Sequence, residues 1–275
     1  MIRRKKIKIL CSFIMVLLVC VWGGYKFYKY ERWQTQLIIQ LQTHIGELSA
    51  KLQLYEEQKN SKDVKWDKES YNYLAIGNSI TVHGFASYWW DDDRGMAASY
   101  DDSDYVHLVK NYLENKKGTV TWHVTNFSTF EAQISDREEF LPLLDPYLSD
   151  EIDLITIQLG ENVNDITTWG IDFENLLKYV KKKASNAKVI VIGDFWSKGN
   201  RDDQKQHATI AQNVTYVSLD GIKDNKEYYA GMGTLVEDSE GNMKEINHEG
   251  VAIHPGDKGM RAIADRIIEV INSMN

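Results

Sequence analysis

From Tyr73 to the C-terminus, short β-rich runs alternate with stretches of helical periodicity, and this alternation limits the fold more than any other feature of the chain. The candidate strands run from Tyr73 to Gly77, Val120 to Asn126, Leu154 to Leu159, Val189 to Gly193 and Val214 to Leu219. Between them, Tyr105 to Asn115 gathers Val106, Val109 and Leu113 on one helical face, and Phe173 to Lys183 does the same with Leu176, Leu177 and Val180. A final helix from about Gly259 to Asn272 spaces Met260, Ile263, Ile267 and Ile271 at helical intervals. Strands joined by crossover helices imply a parallel sheet with right-handed connections, hence a three-layer α/β/α domain.

That domain does not account for the N-terminus. Arg3, Arg4, Lys5, Lys6 and Lys8 precede an uncharged run from Ile9 to Tyr25, close to the ~20 residues that a membrane helix needs. No good small-residue cleavage site follows, so the run is read as an uncleaved anchor rather than a signal peptide. The charge bias places residues 1–8 in the cytoplasm and the rest outside. From Glu31 to Asn60, apolar residues at Ile38, Leu41, Ile45, Leu48, Leu52 and Tyr55 alternate intervals of three and four, which predicts a helical stalk. The expected organisation is therefore a cytoplasmic segment (1–8), an anchor (9–25), a helical or coiled-coil stalk (26–62) that could pair two chains into a homodimer, and a folded domain (63–275).

The net charge of −8 argues against nucleic acid as a partner, because phosphate neutralisation needs clustered Lys and Arg. Both cysteines, Cys11 and Cys20, lie in the apolar run, so the folded domain has neither disulfides nor thiolate chemistry.

Chemistry-bearing residues collect at strand ends. Gly77-Asn78-Ser79 closes the first strand and makes Ser79 a candidate nucleophile; Gly160-Glu161-Asn162 closes the third; His254-Pro255 precedes the last helix and offers a base. Two long irregular stretches flank these points. Residues 83–104 carry Trp89, Trp90 and Asp91 to Arg94, and residues 223–253 carry Tyr228 and Tyr229, so both are expected to wall a substrate cleft. Asn78, Trp89, Trp90, Glu131, Glu161 and Trp196 are the candidate cleft residues. The Asp91, Asp92, Asp93 cluster lacks the pattern of a known calcium loop, and no metal or other cofactor is expected.

In order and position the three blocks resemble those of the SGNH hydrolases, the GDSL esterase and lipase superfamily, over roughly Tyr73 to the C-terminus. The resemblance implies a flavodoxin-like parallel sheet and a serine esterase mechanism. Ser79 would attack an ester carbonyl, His254 would relay the proton, and the Ser79 N–H and the Asn162 side chain would stabilise the oxyanion. The chain departs from the pattern at four points. Asn78 stands where Asp is usual, Val163 stands in the last place of a third block that ends in Asp, the second block from Phe127 to Ala132 has no Gly, and Val251 stands where an Asp usually orients the His. A Ser-His dyad oriented by a backbone carbonyl is expected, with Glu249 as a distant alternative. The implied activity is removal of acyl groups, acetyl above all, from a cell-surface or environmental polysaccharide. An O-acyltransferase acting on such a polysaccharide and a degenerate sugar-binding module are the alternatives.

Overall fold

The computed structural model describes residues 22–38, 63–133 and 136–274. Residues 22–38 are helical (α1) and exposed along their length. No helix among the described residues is long and apolar enough to cross a membrane. Most of the expected anchor and of the stalk, with its heptad positions beyond Ile38, lies outside the described residues. Two compact units divide near residue 60, and the second, Asn60–Asn275, holds every strand among the described residues.

Five parallel strands form the sheet: β1 Tyr71–Gly77, β2 Val120–Asn126, β3 Leu154–Gln158, β4 Lys188–Ile192 and β5 Thr215–Val217. Their order is β2-β1-β3-β4-β5, all pairs parallel. This is the flavodoxin-like order, in which the direction of winding reverses between β1 and β3 and leaves a crevice beyond their C-terminal ends. β1 is central and buried at six of its seven positions, as its unbroken apolar reading requires.

Helix α2 (Tyr105–Lys117) and helix α7 (Asp257–Ser273) cover one face. Their Val109, Leu113, Ile263 and Ile267 share an apolar cluster with Tyr73 and Ala75 of β1 and with Ile190 and Ile192 of β4. Helices α4 (Trp169–Lys183) and α5 (Arg201–Gln212) pack on each other in the opposite layer. The Asp104 carboxylate starts α2 by accepting the His107 N–H at 2.8 Å, satisfying one of the amides that a helix N-terminus leaves open.

One of the two regions read as irregular is partly ordered. Residues 223–253 contain a short hairpin, β6 Leu235–Glu237 paired with β7 Met243–Glu245, and a single-turn helix α6, Glu249–Ala252. The segment after β2 forms the short helix α3, Ser128–Ala132, and a 3₁₀ stretch follows at Arg137–Leu144. Beneath these loops lies a second apolar cluster of Trp89, Met96, Ala97, Val236, Ile246, Val251 and Ala252.

Candidate active site

The end of β1 turns sharply because Gly77 admits no side chain. A Cβ there would lie 1.8 Å from Thr81 Oγ1 and 2.8 Å from the Gln158 carbonyl oxygen. Past this close approach the chain folds into a tight turn, with the Thr81 and Val82 N–H groups donating to the Asn78 carbonyl at 2.9 and 3.0 Å. The turn lifts Ser79 out of the sheet into the crevice, where it is partly exposed while Asn78 beneath it is fully buried.

His254 approaches from the other end of the chain, between α6 and α7. Its Nε2 lies 2.9 Å from Ser79 Oγ, and its Nδ1 lies 2.6 Å from the Gly250 carbonyl oxygen. That carbonyl is open because the His254 backbone N–H donates to Val251 instead, at 2.9 Å. The imidazole thus takes a helix-end acceptor that the backbone leaves unused. An acceptor at Nδ1 fixes the proton there and presents the Nε2 lone pair to the serine hydroxyl, the arrangement a general base requires. Val251, where an orienting Asp would stand, is 1% exposed in the apolar cluster around Trp89, so a carboxylate there would be desolvated without a partner.

Burial lowers the His254 pKa to about 4, with His83 and His248 adding unfavourable positive potential and the Gly250 carbonyl pulling the other way. The ring is therefore neutral at physiological pH and able to accept a proton. Trp196 packs its ring edge-on against the imidazole at 4.9 Å and donates its indole N–H to the Ile253 carbonyl at 3.3 Å.

The third block meets the first beneath the serine. Asn162 Nδ2 donates to Glu131 Oε2 at 2.6 Å, and the Gly160 N–H donates to Glu131 Oε1. Asn78 Nδ2 donates both to Glu131 Oε1 at 3.1 Å and to Glu161 Oε2 at 2.9 Å. Burial first, then repulsion from Glu161, raises the Glu131 pKa, against the pull of its three N–H partners. Behind Glu161, Asp194 is held by Arg201 at 2.8 Å and Lys205 at 2.6 Å, all three buried.

Three of the expected cleft residues prove to be interior. Trp89 is 1% exposed and packs in the second cluster, with the Arg94 guanidinium 5.6 Å from its ring centroid, so it supports the loop rather than facing a substrate. Asn78 and Glu131 are each fully buried and act beneath the nucleophile turn. Trp90, Glu161 and Trp196 remain partly exposed. Sequence reasoning gave no role to Tyr88 and His248, which stack at 4.7 Å and 21° near the mouth. No periodic signal marks an isolated ring in a loop.

Carboxylate oxygens of Asp91, Asp93 and Asp101 lie within 4.8 Å of one another. The buried Arg94 guanidinium reaches Asp91 at 3.3 Å and Asp101 at 2.6 Å, so the chain supplies positive charge to this cluster itself. The same loop is tied to the site, since the Met96 N–H donates to the Ser79 carbonyl at 2.8 Å.

No family profile matches the sequence, and no curated protein matches it. Solved structures do match. A two-domain esterase active on acetylated mannans, crystallised with mannopentaose, superposes with a TM-score of 0.51 at 15% identity over 82% of this chain and 54% of that one. A GDSL-like lipase from Bacteroides ovatus gives a TM-score of 0.48 at 14% identity over 74% and 99% of the two chains. A family two carbohydrate esterase from Clostridium thermocellum gives 0.47 at 14% identity over 74% and 63%. This chain thus spans about half the length of the mannan esterase, with which it shares the fold.

Proposed function

We propose that this protein is a serine ester hydrolase that removes acyl groups, acetyl foremost, from a polysaccharide. The observation that carries the reading is the contact of Ser79 Oγ with His254 Nε2 at 2.9 Å, with the far ring nitrogen on the Gly250 carbonyl. Fold resemblance alone would not carry it, because one fold hosts many activities.

Attack by Ser79 Oγ on the ester carbonyl transfers the hydroxyl proton to His254 Nε2, and the same proton then leaves with the sugar alcohol. Water attacks the acyl-serine in a second cycle of the same transfers. The oxyanion takes hydrogen bonds from the Ser79 N–H and from the Asn162 amide hydrogen not held by Glu131; each such donor contributes roughly 3 kcal/mol to the barrier reduction. Asn162 is already oriented by its bond to Glu131, which suits a hole formed before substrate arrives.

A carbohydrate substrate is supported by partly exposed rings near the His254 side of the site, Trp196 on the imidazole and Tyr88 on His248. It is supported also by the acetylated-mannan activity of the structural neighbour. The uncharged run from Ile9 to Tyr25 after five basic residues supports a membrane-tethered, extracytoplasmic placement. A degenerate binding module would have no reason to keep a neutral imidazole on a partly exposed hydroxyl.

The test uses the full-length protein with an activated acetyl ester and with acetylated mannan. Hydrolysis abolished by Ser79→Ala supports the reading. Equal rates in wild type and variant end it.

A further inference from the structure

Two carboxylates, Glu131 fully buried and Glu161 partly exposed, lie under the nucleophile turn, and the proton relay proposed above passes through neither. Glu131 comes from α3 and Glu161 from the turn after β3, and the Asn78 amide stands between them. Both hydrogens of that amide are spent, one on each glutamate, while its Oδ1 accepts the Ile80 N–H at 3.0 Å. Glu131 completes its set with Asn162 Nδ2 and the Gly160 N–H, and Glu161 with the Phe195 N–H at 2.7 Å. Every oxygen of both carboxylates therefore faces an N–H donor, and Glu131 is where the turns after β1 and β3 meet.

We propose that Glu131 is a positioning residue, aiming the Asn162 amide at the oxyanion through Oε2 while Oε1, with Asn78 bridging to Glu161, locks the Ser79 turn to the Gly160 turn. This rests on the esterase reading of the same site and deepens it. The second block, which has no glycine, carries this glutamate. The same arrangement explains why residue 78 is an amide: an Asp there would set a third carboxyl against two others, with no hydrogen to give to either. The charges around the pair fit this account. Asp194, Lys205 and Arg201 stand behind Glu161, while the nearby Arg137 donates to the Phe130 carbonyl at 3.1 Å and pairs with Asp172 at 2.7 Å. No cation bonds Glu131 directly among the described residues, so its hold on the two turns is by N–H donors alone.

Amide substitution separates positioning from bulk. A glutamine at 131 keeps the size but offers one acceptor and one donor group, so at least one of three N–H partners is lost. In full-length protein, Glu131→Gln lowers kcat by about 10²-fold, the cost of a displaced oxyanion donor. Its KM stays within about threefold, because the loss falls on the transition state alone. Asn78→Asp lowers kcat likewise and lowers Tm by about 5 °C or more. Combining Asn78→Asp with Glu131→Gln restores about tenfold in kcat over Asn78→Asp alone, and most of the Tm, because the new amide donates to the new acid.

Wild-type kcat in Glu131→Gln, a loss confined to KM, or losses that simply multiply in the double variant would each overturn the proposal. Hydrolysis that survives Ser79→Ala overturns the esterase reading instead. In that case the melting temperatures still decide whether Asn78 bridges the two acids: an unchanged Tm in Asn78→Asp, or no recovery in the double variant, rejects the bridge.

Discussion

His254 Nδ1 lies 2.6 Å from the carbonyl oxygen of Gly250, four residues earlier on the single-turn helix α6. A backbone carbonyl fixes the tautomer as a carboxylate would, but it carries only a partial charge to stabilise the imidazolium. The neighbouring Glu249 side chain is exposed and makes no bond to the ring. Glu249→Gln is therefore expected to leave kcat/KM within about twofold of wild type, whereas His254→Ala lowers it by about 10²–10⁴-fold, the usual worth of a positioned general base. Steady-state rates on an activated ester check this, and equal losses in the two variants would mean that the carboxylate orients the ring.

Acid sensitivity should come in two steps. The base works when unprotonated, and burial holds the His254 pKa down at about 4, so protonation of the ring removes activity only as pH falls through about 4, not through 6.5. Glu131 is shifted the other way, to about 7, by burial and by Glu161. A proton on Glu131 must displace one of its N–H partners, so wild-type kcat/KM declines once as pH falls through about 7 and again near 4. The upper step is absent in Glu131→Gln. A single step near 6.5 in the wild type would contradict both assignments.

Trp196 covers one edge of the imidazole at 4.9 Å. Replacing it by Ala admits water to the ring, relieves the desolvation that lowers the His254 pKa, and moves the lower acid limb of kcat/KM upward toward 6.5, the ordinary value. The rate at pH 8, where the ring is neutral in either case, falls by less than the rate at pH 5. A pH-rate profile of Trp196→Ala reads the shift; an unmoved limb would mean that the indole does not set the solvation of the base.

The sheet was readable in the sequence because buried parallel strands are continuous apolar runs. The expectation of Tyr73 to Gly77 matches β1 to within two residues, and Val120 to Asn126 coincides with β2. Helix α5 left no comparable trace. Its buried residues are Arg201, Lys205, Ala208 and Thr209, and two of these are cations held inside by Asp194 and by backbone carbonyls, which periodicity scores as a solvated face. Ser79, Asn162 and His254 could be named because they sit at element ends in a known order. The role of Glu131 could not: the sequence places it among the cleft residues, and only the fold puts three N–H donors around it. Trp89 misled for the converse reason: its burial depends on Arg94 and on a cluster drawn from remote loops.

Gly160 carries the last expectation. Its φ is +145°, a conformation that side-chain-bearing residues rarely adopt, and a Cβ would lie 2.3 Å from Asp194 Oδ1. Asp194 cannot swing aside, because Arg201 grips one oxygen at 2.8 Å and Lys205 the other at 2.6 Å, all in the interior. Gly160→Ala must therefore move the backbone. Backbone strain and overpacking each cost about 1–3 kcal/mol, so the variant loses about 2–6 kcal/mol of stability. Any backbone movement here displaces the Gly160 N–H from Glu131 and swings Asn162 away from the hole, so activity falls even in molecules that stay folded. Denaturant melts and active-site titration on the same preparation separate the two losses. A stable Gly160→Ala with full kcat would show that the turn after β3 has slack that these contacts deny it.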